Sequence, residues 1–344
     1  MKTYLVLFFI LIQYHFGFGQ DWFKVPYETK SLANDGIRAV YVTTSGGSIT
    51  VSGASGQSPR VEIYVHGNNN DELSKEEIKK RLENDYELEV LVSNNEVHAS
   101  AKRKHDYNWN WRKQLSISFK IFVPKQVSSH LSTSGGSIRL DNLIGDENFE
   151  TSGGSLHLDG LVGNIKGETS GGSIEVQNSS EKIDLETSGG SIHAINCNGK
   201  IKLETSGGSL HLEDLKGYIN ANTSGGSIQA NNIEGELITG TSGGSVNLSN
   251  LSCSLDASTS GGSMNVQLLR LGKYVKLDVS GGHVDLRMPS NQGVSLNLSA
   301  NKISSQSVTN FSGVWDKDHV KGTLNGGGIP VSVDASGHLD ISFN

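Results

Sequence analysis

The chain has 344 residues, with 42 glycines, 5 prolines, 35% hydrophobic and 19% charged residues, and a formal net charge of −7. Glycine exceeds its usual share of about 7%, but scarce proline and the lack of a Gly-X-Y period exclude collagen. Val, Ile and Leu recur at regular spacing, which excludes simple disorder, and the acidic balance argues against a nucleic-acid binder, which needs a basic face.

Lys2 supplies a positive start, residues 4–12 an apolar run, and Gly17 and Gly19 small residues before Gln20. This is the pattern of a secretory signal over 1–19. The apolar run is well short of the ~20 residues a spanning helix needs. No cysteine follows it to take a lipid, and no later segment is long and apolar enough to span. The expected product is cleaved near Gly19 and is secreted, periplasmic or at the cell surface.

Residues 20–132 read as a strand-rich capping region. Segments 40–51, 61–65, 87–100 and 115–123 look like strands, and Pro124 ends the last. A helical insert is expected over about 72–85, where Ser74 and Glu77 form a capping box and Ile78, Leu82 and Tyr86 recur every fourth residue. This region should shield the first coil of a solenoid that begins near Thr133, because an open solenoid end invites pairing.

The most unusual stretch of this region is 102–113. Tyr107, Trp109 and Trp111 alternate beside Lys102, Arg103, Lys104, Arg112 and Lys113, so a strand here would show three rings next to five cations. Such rings stack on sugars, and the cations suit anionic glycans or lipid headgroups. Packing of the rings on the first coil competes with that reading and is preferred. Tyr107, Trp109, Trp111, Arg112 and Lys113 are the candidate ligand-binding residues.

Thr-Ser-Gly-Gly-Ser begins at Thr133, Thr151, Thr169, Thr187, Thr205, Thr223, Thr241 and Thr259, always eighteen residues apart. An earlier copy starts at Thr44, and a degenerate Ser280-Gly281-Gly282-His283 comes after a two-residue slip. A fixed period near twenty is the mark of a solenoid. With Thr as position 1, position 6 carries Ile138, Leu156, Ile174 and Ile192 in the first four repeats, and position 8 carries Leu140, Leu158, Val176 and Ala194. Position 15 carries Ile165, Ile183, Ile201, Ile219, Leu237 and Leu255 from the second repeat onward. Alternation by two means short strands with one face inward, and Gly-Gly breaks any helix. Regular β-helix repeats are therefore expected over 133–276, one coil each.

The two motif glycines are expected to supply φ values that other residues resist. Position 10, mostly Asn, should form a left-handed corner with stacked amides. The Thr should point inward and the flanking Ser outward, giving hydroxyl ladders. Cys197 and Cys253 lie three coils apart, about 14 Å at 4.8 Å per rung. A disulfide needs Cα atoms within about 7 Å, so both thiols should be free.

Register breaks after Met264, and 277–344 reads as irregular coils and a cap, with strands near 279–286, 294–298, 325–333 and 338–343 and anchors at Phe311 and Trp315.

With this register, the Ile121-Phe122-Val123-Pro124 strand ending and Gly326-Gly327-Gly328 near the end, residues 35–344 resemble the bacterial "putative adhesin" β-strand-repeat family of unknown function. The resemblance implies an all-β, right-handed single-stranded β-helix in the envelope or outside the cell. It brings no catalytic residues, and some relatives are associated with envelope-stress sensing.

Three outward columns bear chemistry. Glu175, His193 and His211 share position 7 on adjacent coils and are natural zinc or copper ligands, although a solvated polar stripe explains them as well and is preferred. Glu150, Glu168, Glu186 and Glu204 stack at position 18, where Lys166 and Lys202 should offset the repulsion, with divalent cations as the alternative. Asp141 and Asp159 share position 9 and could serve a polysaccharide-cleaving face. No phosphate-binding loop, nucleophile elbow or HExxH is present. The leading reading is an exported, non-enzymatic β-helix for surface or envelope binding, with a glycan or an envelope protein as partner, no cofactor and no resident metal. An envelope-stress accessory is the first alternative and a polysaccharide-active enzyme the second.

Overall fold

The structure is a computed structural model that describes residues 25–53, 56–68, 73–104, 114–306 and 308–343. The chain forms β1 (Glu28–Ser31), β2 (Ala39–Thr44), β3 (Ile49–Gly53) and β4 (Arg60–Gly67), then α1 (Lys75–Asp85), β5 (Tyr86–Ser93), β6 (Glu96–Arg103) and β7 (Leu115–Val123). Pairs of strands come next: β8 (Ser128–Thr133), β9 (Ile138–Asp141), β10 (Ile144–Thr151), β11 (Leu156–Asp159), β12 (Val162–Thr169), β13 (Ile174–Gln177), β14 (Ser180–Thr187), β15 (Ile192–Ile195) and β16 (Asn198–Thr205). The two strands of a coil then merge in β17 (Leu210–Thr223), β18 (Ile228–Thr241), β19 (Val246–Thr259) and β20 (Met264–Val279). The far end holds β21 (Val284–Met288), β22 (Val294–Ser305), β23 (Phe311–Trp315), β24 (His319–Leu324) and β25 (Ile329–Phe343).

The eighteen-residue period is the register of a β-helix. Leu156 lies beside Ile138 and Ile174, and Thr151 beside Thr133 and Thr169, all in parallel ladders. Because successive side chains alternate, positions 6, 8 and 15 fill one continuous core, in which Ile165, Ile201 and Ile219 are fully buried.

Each coil turns at two kinds of corner. Position 10 is left-handed in coil after coil, with φ of 57° at Asn142, 52° at Asn178, 51° at Asn196 and 54° at Asn232. Amides ladder along it, with Asn196 Nδ2 donating to Asn178 Oδ1 at 2.7 Å. Position 13 also takes positive φ, at Gly163, Gly199, Gly217 and Gly235, and Glu181 is forced into the same column at 84°.

The Thr-Ser-Gly-Gly-Ser corner corrects the sequence expectation. None of its glycines has a left-handed φ. The second glycine is required because rungs touch there: a Cβ on Gly190 would sit 2.1 Å from the Gly172 carbonyl oxygen. The Thr side chains point inward as expected, and their hydroxyls bond to the backbone of the neighbouring rung and of their own corner. Thr187 Oγ1 donates to Gly172 O at 2.8 Å and accepts the Gly190 N–H at 3.3 Å, while Ser191 Oγ accepts the Ser209 N–H at 3.1 Å.

The early copy at Thr44 is a rung of the same stack. β2 and β3 pair in parallel with β8 and β9, with Thr44 beside Thr133. After Gly53 the chain leaves the helix and lays down β6 and β7 as the preceding rung, parallel to β2 and β3. It then resumes at β8. Antiparallel β4, β1 and β5 extend that end. Ser74 caps α1 by accepting the Glu77 N–H at 3.2 Å, and Ile78 and Leu82 are buried against the stack.

At the far end the stacking order departs from sequence order. The segments expected at 325–333 and 338–343 are one strand, β25, inserted between β20 and β21 on one side and β22 on the other. The antiparallel pair β24 and β23 closes this end, with Phe311 and Trp315 in edge contact at 5.1 Å and packed on the core. Parallel coils thus meet antiparallel strands at both ends, which blunts their open edges.

Cys197 and Cys253 are free and buried. Burial pushes the Cys253 thiol up to about 12 and raises Cys197 as well. A thiol reagent at about pH 8 is therefore expected to label neither residue in the native protein and both after unfolding, as read by mass spectrometry. Rapid native labelling would contradict the packing.

Candidate functional site

β13, β15 and β17 place Glu175, His193 and His211 on adjacent rungs. The two imidazoles stack 5.3 Å apart at 7°, while Glu175 turns the other way, its Oε2 3.3 Å from His157 Nδ1. Stacked rings present parallel edges and do not converge on a point. Among the described residues no three His, Cys, Asp or Glu side chains are placed to hold a metal ion.

The position-18 carboxylates stand in file on β10, β12, β14 and β16. Lys166 lies 3.4 Å from Glu168 and Lys202 2.9 Å from Glu204, the offset expected from sequence. Lys202 also reaches Asp184 at 3.6 Å, and its bond to Glu204, with the pull of Asp184, raises its ammonium above the usual value. Ser132 donates to Glu150 at 2.9 Å.

Tyr107, Trp109, Trp111, Arg112 and Lys113 lie outside the described residues. The strands that flank them, β6 and β7, take the same places as β2 and β3 one rung on.

Asp141 and Asp159 are neighbours across β9 and β11. Asp159 accepts from Asn178 Nδ2 at 2.8 Å. Asp141 accepts from Ser52 Oγ at 3.3 Å and lies 3.6 Å from Arg139; burial raises its carboxyl despite both contacts.

Asp141 also belongs to a cleft of about 260 Å³ on the outward face of β9, β3, β7 and β4, which run side by side. The cleft exists because β3 and the residue before it show short side chains, Ser48, Thr50 and Ser52, between taller neighbours. Arg139 and Asp141 rise on one side, and Lys120, Phe122 and Tyr64 on the other. The Arg60 guanidinium lies 3.9 Å over the Phe122 ring and 2.7 Å from Glu62, whose other oxygen accepts from Tyr64 at 2.8 Å. Burial, then the bond to Glu62, pushes Tyr64 up to about 12, so its hydroxyl stays protonated. Burial raises the Glu62 carboxyl, but the bonds from Arg60 and Tyr64 outweigh it and hold Glu62 below its usual range. Arg60, Glu62 and Tyr64 thus hold one another in place along this wall. Sequence reasoning missed the cleft because it depends on β7 and β4 lying beside β3, which no spacing reveals.

A buried acid was missed as well. Glu147 occupies position 15 of its coil, beside Ile165, with 1% exposure. Ser129 Oγ donates to Glu147 Oε2, and among the described residues Oε1 has no partner. An acid in a column otherwise Ile or Leu was the available signal. At the far end, His283 and His338 both reach Asp340, at 3.2 and 3.0 Å.

Residues 37–336 match the family described as Toastrack DUF4097. The chain belongs to the Toastrack family. Its β-helix is thus the family's domain across nearly the whole described length. A solved structure, described as a putative cell adhesion protein from Clostridium sporogenes, is 11% identical and aligns over 92% of this Toastrack chain and 98% of its own, with a TM-score of 0.19. A likeness that low carries no argument. No curated protein matches. Among the described residues no helix is long and apolar enough to cross a membrane.

Proposed function

We propose that this Toastrack protein is an exported, non-enzymatic β-helix that binds a glycan or a protein at the cell surface or envelope. The observation that carries the reading is the rigid, in-register polar face, where outward side chains repeat at each rung over parallel ladders from β9 to β20. A surface with a repeat of about 4.8 Å suits an extended polymer or a broad protein patch better than a small substrate. Asp159, one of the pair that would serve catalysis, accepts from Asn178 within the fold. Export is supported by the apolar run at 4–12 and the small residues before Gln20.

The test is retention of labelled residues 20–344 on a panel of intact bacterial and animal cells. Retention lost after periodate treatment of the cells identifies a glycan, and retention lost after surface proteolysis identifies a protein. No retention above a heat-denatured control on any cell type would sink the surface-binding reading.

A further inference from the structure

Two cations flank the Thr50 hydroxyl. Thr50 on β3 pairs with Lys120 on β7 and with Arg139 on β9, which sets the two side chains about 10 Å apart at the backbone. Among the described residues Lys120 makes no ion pair within 4.0 Å; it stands opposite Glu62 on β4, whose carboxylate its charge helps hold below the usual range, and its ammonium lies 5.3 Å from the Phe122 ring centroid. Among the described residues Arg139 has one ion pair, the 3.6 Å contact to Asp141, and is half exposed. Both can turn to a shared anion without breaking a buried bond.

The remaining groups demand more than an anion. Asp141 is an acceptor at the rim and would repel a bare phosphate or sulfate. Ser52 and Thr50 offer hydroxyls, and Phe122 and Tyr64, each 6% exposed and with Arg60 over the Phe122 ring, back the cleft with their edges. A ligand that satisfies these carries one negative group and several hydroxyl donors on a compact frame. The volume, about 260 Å³, is just below the range of about 300–1,000 Å³ typical of drug-sized sites, which is room for a single ring.

We propose that the cleft between Lys120 and Arg139 is a binding site for an acidic sugar residue, whose anionic group lies between the two cations over Thr50 and whose ring hydroxyls meet Asp141 and Ser52. This rests on the surface-binding reading and names its ligand class. A carboxylate and a sulfate ester would both fit the cations, so the test carries an arm for each.

Residues 20–344 are titrated calorimetrically with trigalacturonate, with its uncharged methyl ester and with a sulfated chondroitin oligosaccharide. At least one acidic sugar is expected to bind, and Lys120→Met or Arg139→Gln to weaken it by at least about tenfold, as expected for one charge-assisted hydrogen bond. The methyl ester should lose a similar factor relative to trigalacturonate if the anion is a carboxylate. Lys200→Met, on a different face, serves as the control for diffuse charge and should change nothing. Thermal melts of the variants show that each is folded, and the ester comparison needs no variant. Equal affinity for ester and acid with no sulfated ligand bound, or equal losses at Lys200 and Lys120, would overturn the site. Retention on cells with no acidic sugar bound removes this proposal and leaves surface binding standing. Acidic-sugar binding that depends on Lys120 without any cell retention does the reverse.

Discussion

Gly190→Ala is expected to cost about 3 kcal/mol or more, the upper range for forcing a methyl into a packed site, while Gly189→Ala stays within about 0.5 kcal/mol of the parent. The two glycines are adjacent in one motif, yet they meet different surroundings. A Cβ on Gly190 would lie 2.1 Å from the Gly172 oxygen, whereas the nearest atom to one on Gly189 is the Ser170 oxygen at 3.5 Å, an ordinary contact. The Gly172 carbonyl cannot swing away freely, because it accepts the Thr187 hydroxyl at 2.8 Å. Neither glycine sits at left-handed φ, so alanine at 189 meets no backbone strain and reduces the entropy of the unfolded chain. Urea midpoints for the two variants give the comparison, and hydrogen exchange shows whether the loss stays near the altered rung, as the nearest-neighbour coupling of a solenoid predicts. Equal destabilisation at both positions would mean that the motif is set by dihedral angle after all.

That contrast also marks what a sequence can disclose. Asn142, Asn178 and Asn196 announced their left-handed corner because the preference is a property of the residue itself. The inward Thr column and the Ile column at position 15 came from alternation alone. The need for Gly190 was invisible because its reason lies in the rung before it, eighteen residues away. Thr44 was recognised as a motif copy, but its place beside Thr133 depends on where the excursion between β3 and β8 returns. β25 likewise slots between earlier strands, so order along the chain misled about order along the stack. The cleft at Lys120 and Arg139 inherits this difficulty, since its two sides are joined only by that excursion. Apart from the segment with Tyr107, Trp109 and Trp111, which lies outside the described residues, the sites proposed from sequence were columns on single faces, and a column of stacked, parallel side chains does not converge on one point.

Glu147 should make stability fall with rising pH. Burial raises its carboxyl from the usual 4.5 to about 7, and neighbouring Asp146 adds to the rise, while the bond from Ser129 opposes it. Below about 4.5 the folded and unfolded chains both hold the proton, so the group contributes no penalty. Between 4.5 and 7 the unfolded chain releases the proton and the folded chain keeps it, and stability declines. Above about 7 the penalty levels off at roughly 3 kcal/mol, the product of the shift and 1.36 kcal/mol per unit. Glu147→Gln removes the titration and should abolish this component of the pH slope. Glu147→Leu should do the same and also restore the apolar column of Ile165 and Ile183, offset by about 1 kcal/mol for the acceptor that Ser129 loses. The measurement is the urea midpoint at about pH 5, 6, 7 and 8 for the parent and both variants, read as differences so that other carboxylates cancel. At about pH 5 the Gln variant should lead the parent by no more than about 1 kcal/mol from this titration, and at about pH 8 the Leu variant should be the more stable by about 2 kcal/mol, the ionisation penalty less the Ser129 loss. Parallel pH profiles for parent and variants would show that Glu147 is solvated in solution and that the first regular coils are looser than their packing implies.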